Sequence, residues 1–205
     1  MSFSGKDFQH QYHGDARMAL ARSPLALESR PLHWQIAAVF FGTVALAVAS
    51  QISVPMVPVP VTMQTFAVMT LGALYGWKLG ALTVLAWLGE AMLGAPVLSG
   101  GAGGPAPFVG PTAGYLAAFP ICAALTGWLA ERGWNGRRPL LALAAMGIGH
   151  VLCLTLGAAW LTVLFGFETA IATGVAPFLV GLALKSALGA VVLRQIAQMS
   201  GKRAE

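Results

Sequence analysis

Val54-Pro55-Met56-Val57-Pro58-Val59-Pro60-Val61-Thr62-Met63-Gln64-Thr65 is the stretch on which the reading of the chain turns. Three prolines within six residues exclude a helix interior and a central strand. The segment has no charge and is flanked on both sides by apolar helical sequence. Irregular backbone between two membrane spans needs its polar groups satisfied by protein or by a water-lined cavity. Thr62 is a good N-cap, so the next helix is expected to start at Met63. Gln64 and Thr65 then fall in its first turn, where free backbone N–H groups attract an anion. From Met63 to Lys78 the helix would cover roughly 24 Å, less than the ~30 Å of a hydrocarbon core. Either it begins below the outer surface or the bilayer thins locally. The first option gives a polar-ended helix start opening into a protein cavity.

The composition agrees with a membrane setting. Of 205 residues, 57% are hydrophobic and 9% charged, with a mean hydropathy of +0.74. Soluble domains carry about 25% charged residues. The chain is expected to be an integral all-α membrane protein with room for about six spans. Its net charge of +5 does not point to nucleic acid, because the cations lie in the flanks and loops of apolar spans. Cys122 and Cys153 fall inside spans and offer neither a disulfide framework nor metal-ligand spacing, which reads as small buried hydrophobes.

Residues 1–31 form a polar arm with Lys6, Arg17, Arg22 and Arg30 and no apolar signal-peptide core, expected on the cytoplasmic side. The transmembrane domain is expected over 32–199, and a cytoplasmic tail over 200–205. Span 1 covers about 34–52. Ala38 with Gly42, and Ala45 with Ala49, place small residues at i, i+4. This pattern serves either packing within the chain or docking to another membrane subunit. Span 2 covers about 63–77 and, after a Gly76-Trp77-Lys78 turn, span 3 about 79–94. A charge-free Gly/Pro loop follows at 95–107, including Gly100 and Gly101. Span 4 starts near Gly110-Pro111-Thr112, with Tyr115 one turn in, and reaches about 130. Span 5 runs over about 139–164, a short turn carries Glu168, and span 6 reaches about 198, entered through Pro177.

Numbered alternately from a cytoplasmic arm, the inner segments hold eleven of the twelve Lys and Arg residues. The loops at 53–61, 95–110 and 165–171 hold none. This asymmetry implies six spans with both termini inside. It also groups the Pro-rich and Gly-rich loops on the outer side, jointly covering one cavity.

The twelfth cation is Lys185, about 12 Å into span 6 from Pro177. A lysine at that depth costs about 2.5–3.5 kcal/mol on insertion scales, and some partner must offset it. That partner is either Glu90 or a backbone carbonyl in a structural role, or a ligand. Glu90 lies about one turn before the outer end of span 3, as an interfacial residue or as the partner of Lys185 or of a ligand N–H. His150 reads as a hydrogen-bonded helix-packing residue. Trp87 and Trp160 are core or interface aromatics unless they flank a ligand in a polar cavity.

No G-x-x-x-x-G-K-[ST] occurs, so the chain is not expected to hydrolyse ATP by itself. H-E-x-x-H, paired catalytic carboxylates and G-x-S-x-G are also absent, which argues against a membrane enzyme. No cofactor is expected. The Gly-rich loop reads as a flexible flap over a binding site.

Pro58-Val59-Pro60-Val61-Thr62-Met63-Gln64-Thr65 resembles the signature first outer loop of the BioY family. The Gly-Pro-Thr-Ala-Gly-Tyr run at 110–115 resembles that family's next landmark, and Pro177-Phe178-Leu179 followed by Lys185 its last. The likeness covers about 34–199. It implies a six-helix substrate-binding (S) component of an energy-coupling-factor vitamin transporter, with biotin held near the outer face. It further implies a T component, the transmembrane coupling subunit, and two ABC-type ATPases as partners. Small residues of the first helix would dock the T component; Ala38, Gly42, Ala45 and Ala49 are the candidates. In one place the chain departs from the pattern Pro-Phe-Leu-x-Gly-Asp-x-x-Lys: Gly181 is followed by Leu182, so the acid is missing while Lys185 remains. Charge balance makes Glu90 a candidate replacement acceptor.

The expected function is therefore biotin binding for uptake across the bacterial inner membrane. The expected site comprises Thr62 and Gln64 for hydrogen bonds, Lys185 for the carboxylate, Trp87 and Tyr115 for apolar surface with a polar tip, Glu90, and the flap with Gly100 and Gly101. The alternative is a stand-alone secondary transporter of a small organic anion or another vitamin. Its coupling-ion site would have to come from Glu90, His150 and Lys185.

Overall fold

The computed structural model describes Leu25 and residues 27–202. Most of the expected arm and the end of the expected tail lie outside the described residues. Among the described residues seven α-helices run in chain order: α1 (Leu32–Gln51), α2 (Gln64–Tyr75), α3 (Trp77–Met92), α4 (Ala113–Glu131), α5 (Pro139–Phe165), α6 (Phe167–Gly174) and α7 (Phe178–Lys202). By length and composition, α1, α4, α5 and α7 can each cross a bilayer. Helices α2 and α3 have 12 and 16 residues, or roughly 18 and 24 Å.

The Pro-rich segment is a hairpin rather than a plain loop. Strands β1 (Ser53–Val54) and β2 (Val61–Thr62) pair antiparallel, with Ser53 opposite Thr62 and Val54 opposite Val61. The prolines stay in the connection, where no ladder N–H is needed, and the Val57–Pro58 peptide is cis. Helix α2 starts at Gln64, one residue later than the sequence suggests. Thr62 sits in β2, yet its Oγ1 still accepts the Gln64 N–H at 3.2 Å. A single residue, Gly76 with φ 88°, separates α2 from α3. Glu168 is in the first turn of α6, not in a bare turn, because 167–174 have enough chain to close a short helix.

The bundle is organised around α2, of whose 12 residues ten are buried. A helix that is apolar all round belongs in an interior. Glycines let its neighbours approach. A Cβ on Gly80 would stand 2.8 Å from Gly72 Cα, and one on Gly127 would stand 2.6 Å from both Gly76 C and Trp77 N. Thus α2, α3 and α4 meet backbone to backbone. On the other side α4 packs on α5, where Gly157 admits the Tyr115 ring and Gly114 admits Trp160.

Helix α1 covers α2 and α3. Gly42 is buried, facing Thr83 and Tyr75, and the Tyr75 hydroxyl donates to Ala38 O at 3.0 Å. Ala49 is also buried. Three of the four candidate docking residues therefore face inward, and only Ala45 is exposed. A small-residue stripe reports close helix approach, and here the approaching surface is the chain's own.

Candidate functional site

At the hairpin end of the bundle lies a cavity of about 240 Å³. Its walls are Val59, Pro60 and Thr62 of the hairpin, Gln64 and Thr65 of the first turn of α2, and Leu98, Ser99 and Ala102 of the Gly-rich loop. Tyr115, Leu116 and Phe119 of α4 close one side, with Leu154 of α5 and Phe178 and Lys185 of α7 opposite. The two loops grouped by charge asymmetry thus share one void.

Polar chemistry is concentrated where β2 turns into α2. Lys185, 9% exposed, donates from Nζ to Thr62 O at 2.6 Å and to Thr65 Oγ1 at 3.3 Å. An ammonium has three N–H bonds. Among the described residues, two of those of Lys185 have protein acceptors, both neutral oxygens. Among the described residues no carboxylate lines the cavity, and Lys185 is its only charged side chain. Gln64 is buried, with Nε2 bonded to Ser50 Oγ at 3.0 Å and Oε1 accepting from Thr62 Oγ1 at 3.1 Å. Because Thr62 Oγ1 takes the Gln64 N–H, fewer free amides remain at this helix start than a bare N-terminus offers. The ammonium, not the helix end, is the main source of positive charge.

The remaining wall is apolar. The Tyr115 ring stacks on Phe178, centroids 6.0 Å apart and planes 19° apart. Its hydroxyl is committed to Gly174 O at 2.7 Å, which ties α4 to the end of α6. The polar tip expected to face a ligand is therefore structural, while the ring remains a wall. Phe119 lies one turn beyond Tyr115, on the same face by i, i+4 spacing. Phe178 precedes Lys185 by seven residues, again on one face. Those spacings were readable in the sequence. Leu154 and Ala102 carry no such mark.

Four expected site residues do not line the cavity. Trp87 is 0% exposed and stands behind the wall, stacked on Phe119 at 6.1 Å with Nε1 donating to Val97 O at 3.2 Å. Glu90 is exposed, because its rotation on α3 turns it away from the bundle. Gly100 and Gly101 are exposed too, and their neighbours Leu98, Ser99 and Ala102 face the void instead. These glycines hold φ of 69° and 73°, left-handed backbone that turns the loop back over the cavity. The loop itself is tied at several points. Gln51 Nε2 donates to Leu98 O at 3.0 Å, and the Gly104 N–H reaches Ala91 O at 2.7 Å.

His150 lies deeper. Its Nδ1 is 2.9 Å from Met146 O and 3.1 Å from Ser186 Oγ, which joins α5 to α7 as a packing residue does. Trp160 likewise has a structural bond, Nε1 to Gly110 O at 2.9 Å.

Comparison with known sequences and structures is decisive for the family. The sequence model of the BioY family matches residues 22–202. This chain belongs to the BioY family. It is 36% identical over 150 residues to the "Probable biotin transporter BioY" of Pyrococcus horikoshii, covering 73% of this chain and 88% of the relative. It is 38% identical over 160 residues to the "Biotin transporter BioY" of Rhizobium etli, covering 75% and 86%. A crystal structure of "the S-component for biotin from an ECF-type ABC transporter" superposes with a TM-score of 0.71 at 25% identity, covering 83% of this chain and 95% of that one. Family members are multi-pass membrane transport proteins rather than enzymes, in keeping with the apolar helices seen here. The S-component architecture agrees with the helical bundle built on α2 described above.

Proposed function

We propose that this chain is the biotin-binding substrate-specificity subunit of an energy-coupling-factor transporter. The observation that carries the reading is the cavity under the two uncharged loops, with apolar walls and a Lys185 ammonium that among the described residues meets neutral acceptors alone, in a chain related to biotin transporters. Biotin joins an apolar ring and chain to a carboxylate and a ureido group. Stacked Tyr115 and Phe178, with Phe119 and Leu116, suit the apolar parts. The Lys185 ammonium suits the carboxylate, and Gln64 supplies neutral hydrogen bonds. The volume, somewhat below the roughly 300–1,000 Å³ usual for small-molecule pockets, suits one compact ligand.

In this reading α1 to α5 and α7 cross the bilayer six times, with α2 and α3 as short crossings and α6 as an outer helix. Both termini lie in the cytoplasm of a bacterial cell whose inner membrane holds the protein. A T component and two ABC-type ATPases energise release. Of the small residues of α1, Ala45 is the one open to a partner.

Binding of labelled biotin to the detergent-purified chain, competed by other vitamins, tests the proposal. Lys185→Met is expected to weaken it by at least about tenfold, since a buried charged hydrogen bond is lost. Unchanged binding by that variant refutes the role of Lys185. Stand-alone ion-coupled transport finds no support in the geometry: among the described residues no carboxylate lines the cavity beside Lys185, and Glu90 faces outward.

A further inference from the structure

We propose that Ser50, which does not line the cavity, is a positioning residue that decides which edge of the Gln64 amide meets the ligand. The inference rests on the biotin-binding reading above. Ser50 sits in the last turn of α1, 0% exposed. Its Oγ donates to Leu46 O, one turn back, at 2.8 Å. A hydroxyl has a single hydrogen, so only lone pairs remain for other neighbours. Gln64 meets those lone pairs and must present its NH2 group, at 3.0 Å.

The opposite end of the same amide is constrained in the complementary sense. Thr62 Oγ1 accepts the Gln64 backbone N–H at 3.2 Å, and its own hydrogen goes to Gln64 Oε1 at 3.1 Å. Turning the amide over would set Oε1 against the Ser50 lone pairs and NH2 against the Thr62 hydrogen, breaking two buried bonds at once. The side chain is therefore held in one orientation. Among the described residues, one N–H of Nε2 and one lone pair of Oε1 remain uncommitted, side by side on a residue that lines the cavity. A donor beside an acceptor is the pattern that meets the N–H and C=O edge of an amide or urea with two parallel hydrogen bonds.

Removing the Ser50 acceptor frees the amide without touching the cavity wall. Ser50→Ala is expected to weaken labelled-biotin binding by the purified full chain roughly tenfold, the effect of one lost buried hydrogen bond. In a Gln64→Ala background the same change should cost less than about twofold, because the group it positions is gone. If Gln64→Ala binds too weakly to titrate, Thr62→Val replaces it. Ser50→Ala and Thr62→Val release the same amide, so their losses should fall well short of additive. Wild-type affinity in Ser50→Ala overturns the inference, even if its thermal unfolding midpoint falls, as a merely structural role would require. Equal losses in both backgrounds, or fully additive losses with Thr62→Val, overturn it as well. A wild-type chain that fails to bind biotin sinks the functional reading and this inference with it; tight wild-type binding with an indifferent Ser50→Ala sinks only Ser50.

Discussion

Lys185 carries its charge into the bundle and meets two neutral oxygens there, Thr62 O and Thr65 Oγ1. Neutral acceptors offset only part of the desolvation of an ammonium, so an anionic ligand group gains more at this point than at any other on the cavity wall. On sequence alone Glu90 is either an interfacial residue or, by charge balance, a partner of Lys185 or of a ligand N–H. The structure leaves Glu90 exposed, so Glu90→Gln is expected to keep biotin affinity within about twofold, as equilibrium binding would show. Trp87 acts from behind the wall. Trp87→Phe keeps the stacking on Phe119 and loses the bond to Val97 O, for a cost of about 1 kcal/mol of stability. A lower thermal unfolding midpoint with little change in affinity would report it.

Helices α2, α3 and α4 meet through glycine. A methyl at Gly127 would press on the backbone of Gly76 and Trp77. Backbone cannot swing aside as a side chain can, so Gly127→Ala should destabilise the bundle by about 1–3 kcal/mol. Gly89, on the exposed face of α3, has nothing within 4 Å of its would-be Cβ. Gly89→Ala should be neutral or stabilising by up to about 1 kcal/mol, through helix propensity alone. Parallel thermal melts in detergent compare the two. The same logic explains α1. Its small residues announced a close approach in the sequence, but which surface they approach depends on helix rotation, and Gly42 and Ala49 turned out to face the chain's own bundle.

For the molecule as a whole, the distribution of charge predicts sidedness. The Gly-rich loop should be reachable from outside, and the basic loop after α4 from the cytoplasm. Cysteine placed at Val109, 72% exposed, should react with a membrane-impermeant maleimide on intact cells. Cysteine at the exposed Arg137 should react only after permeabilisation. The native Cys122 and Cys153 are buried and give a low background. Reaction of both sites from outside would overturn the six-crossing topology and both cytoplasmic termini together.

Membrane residence, the break after span 1, the pairing of the Pro-rich with the Gly-rich loop and the inward-facing Lys185 were all legible in the residues. They follow from composition and from backbone rules that act locally: prolines cannot continue a helix, and cations stay on one side. Tertiary structure alone turned Glu90 outward, set Trp87 behind Phe119, committed the Tyr115 hydroxyl to Gly174, and locked Gln64 between Ser50 and Thr62. Each of these depends on how a helix is rotated against its neighbours. That rotation is decided by packing summed over many side chains, and in helices apolar on every face no periodicity along the chain records it.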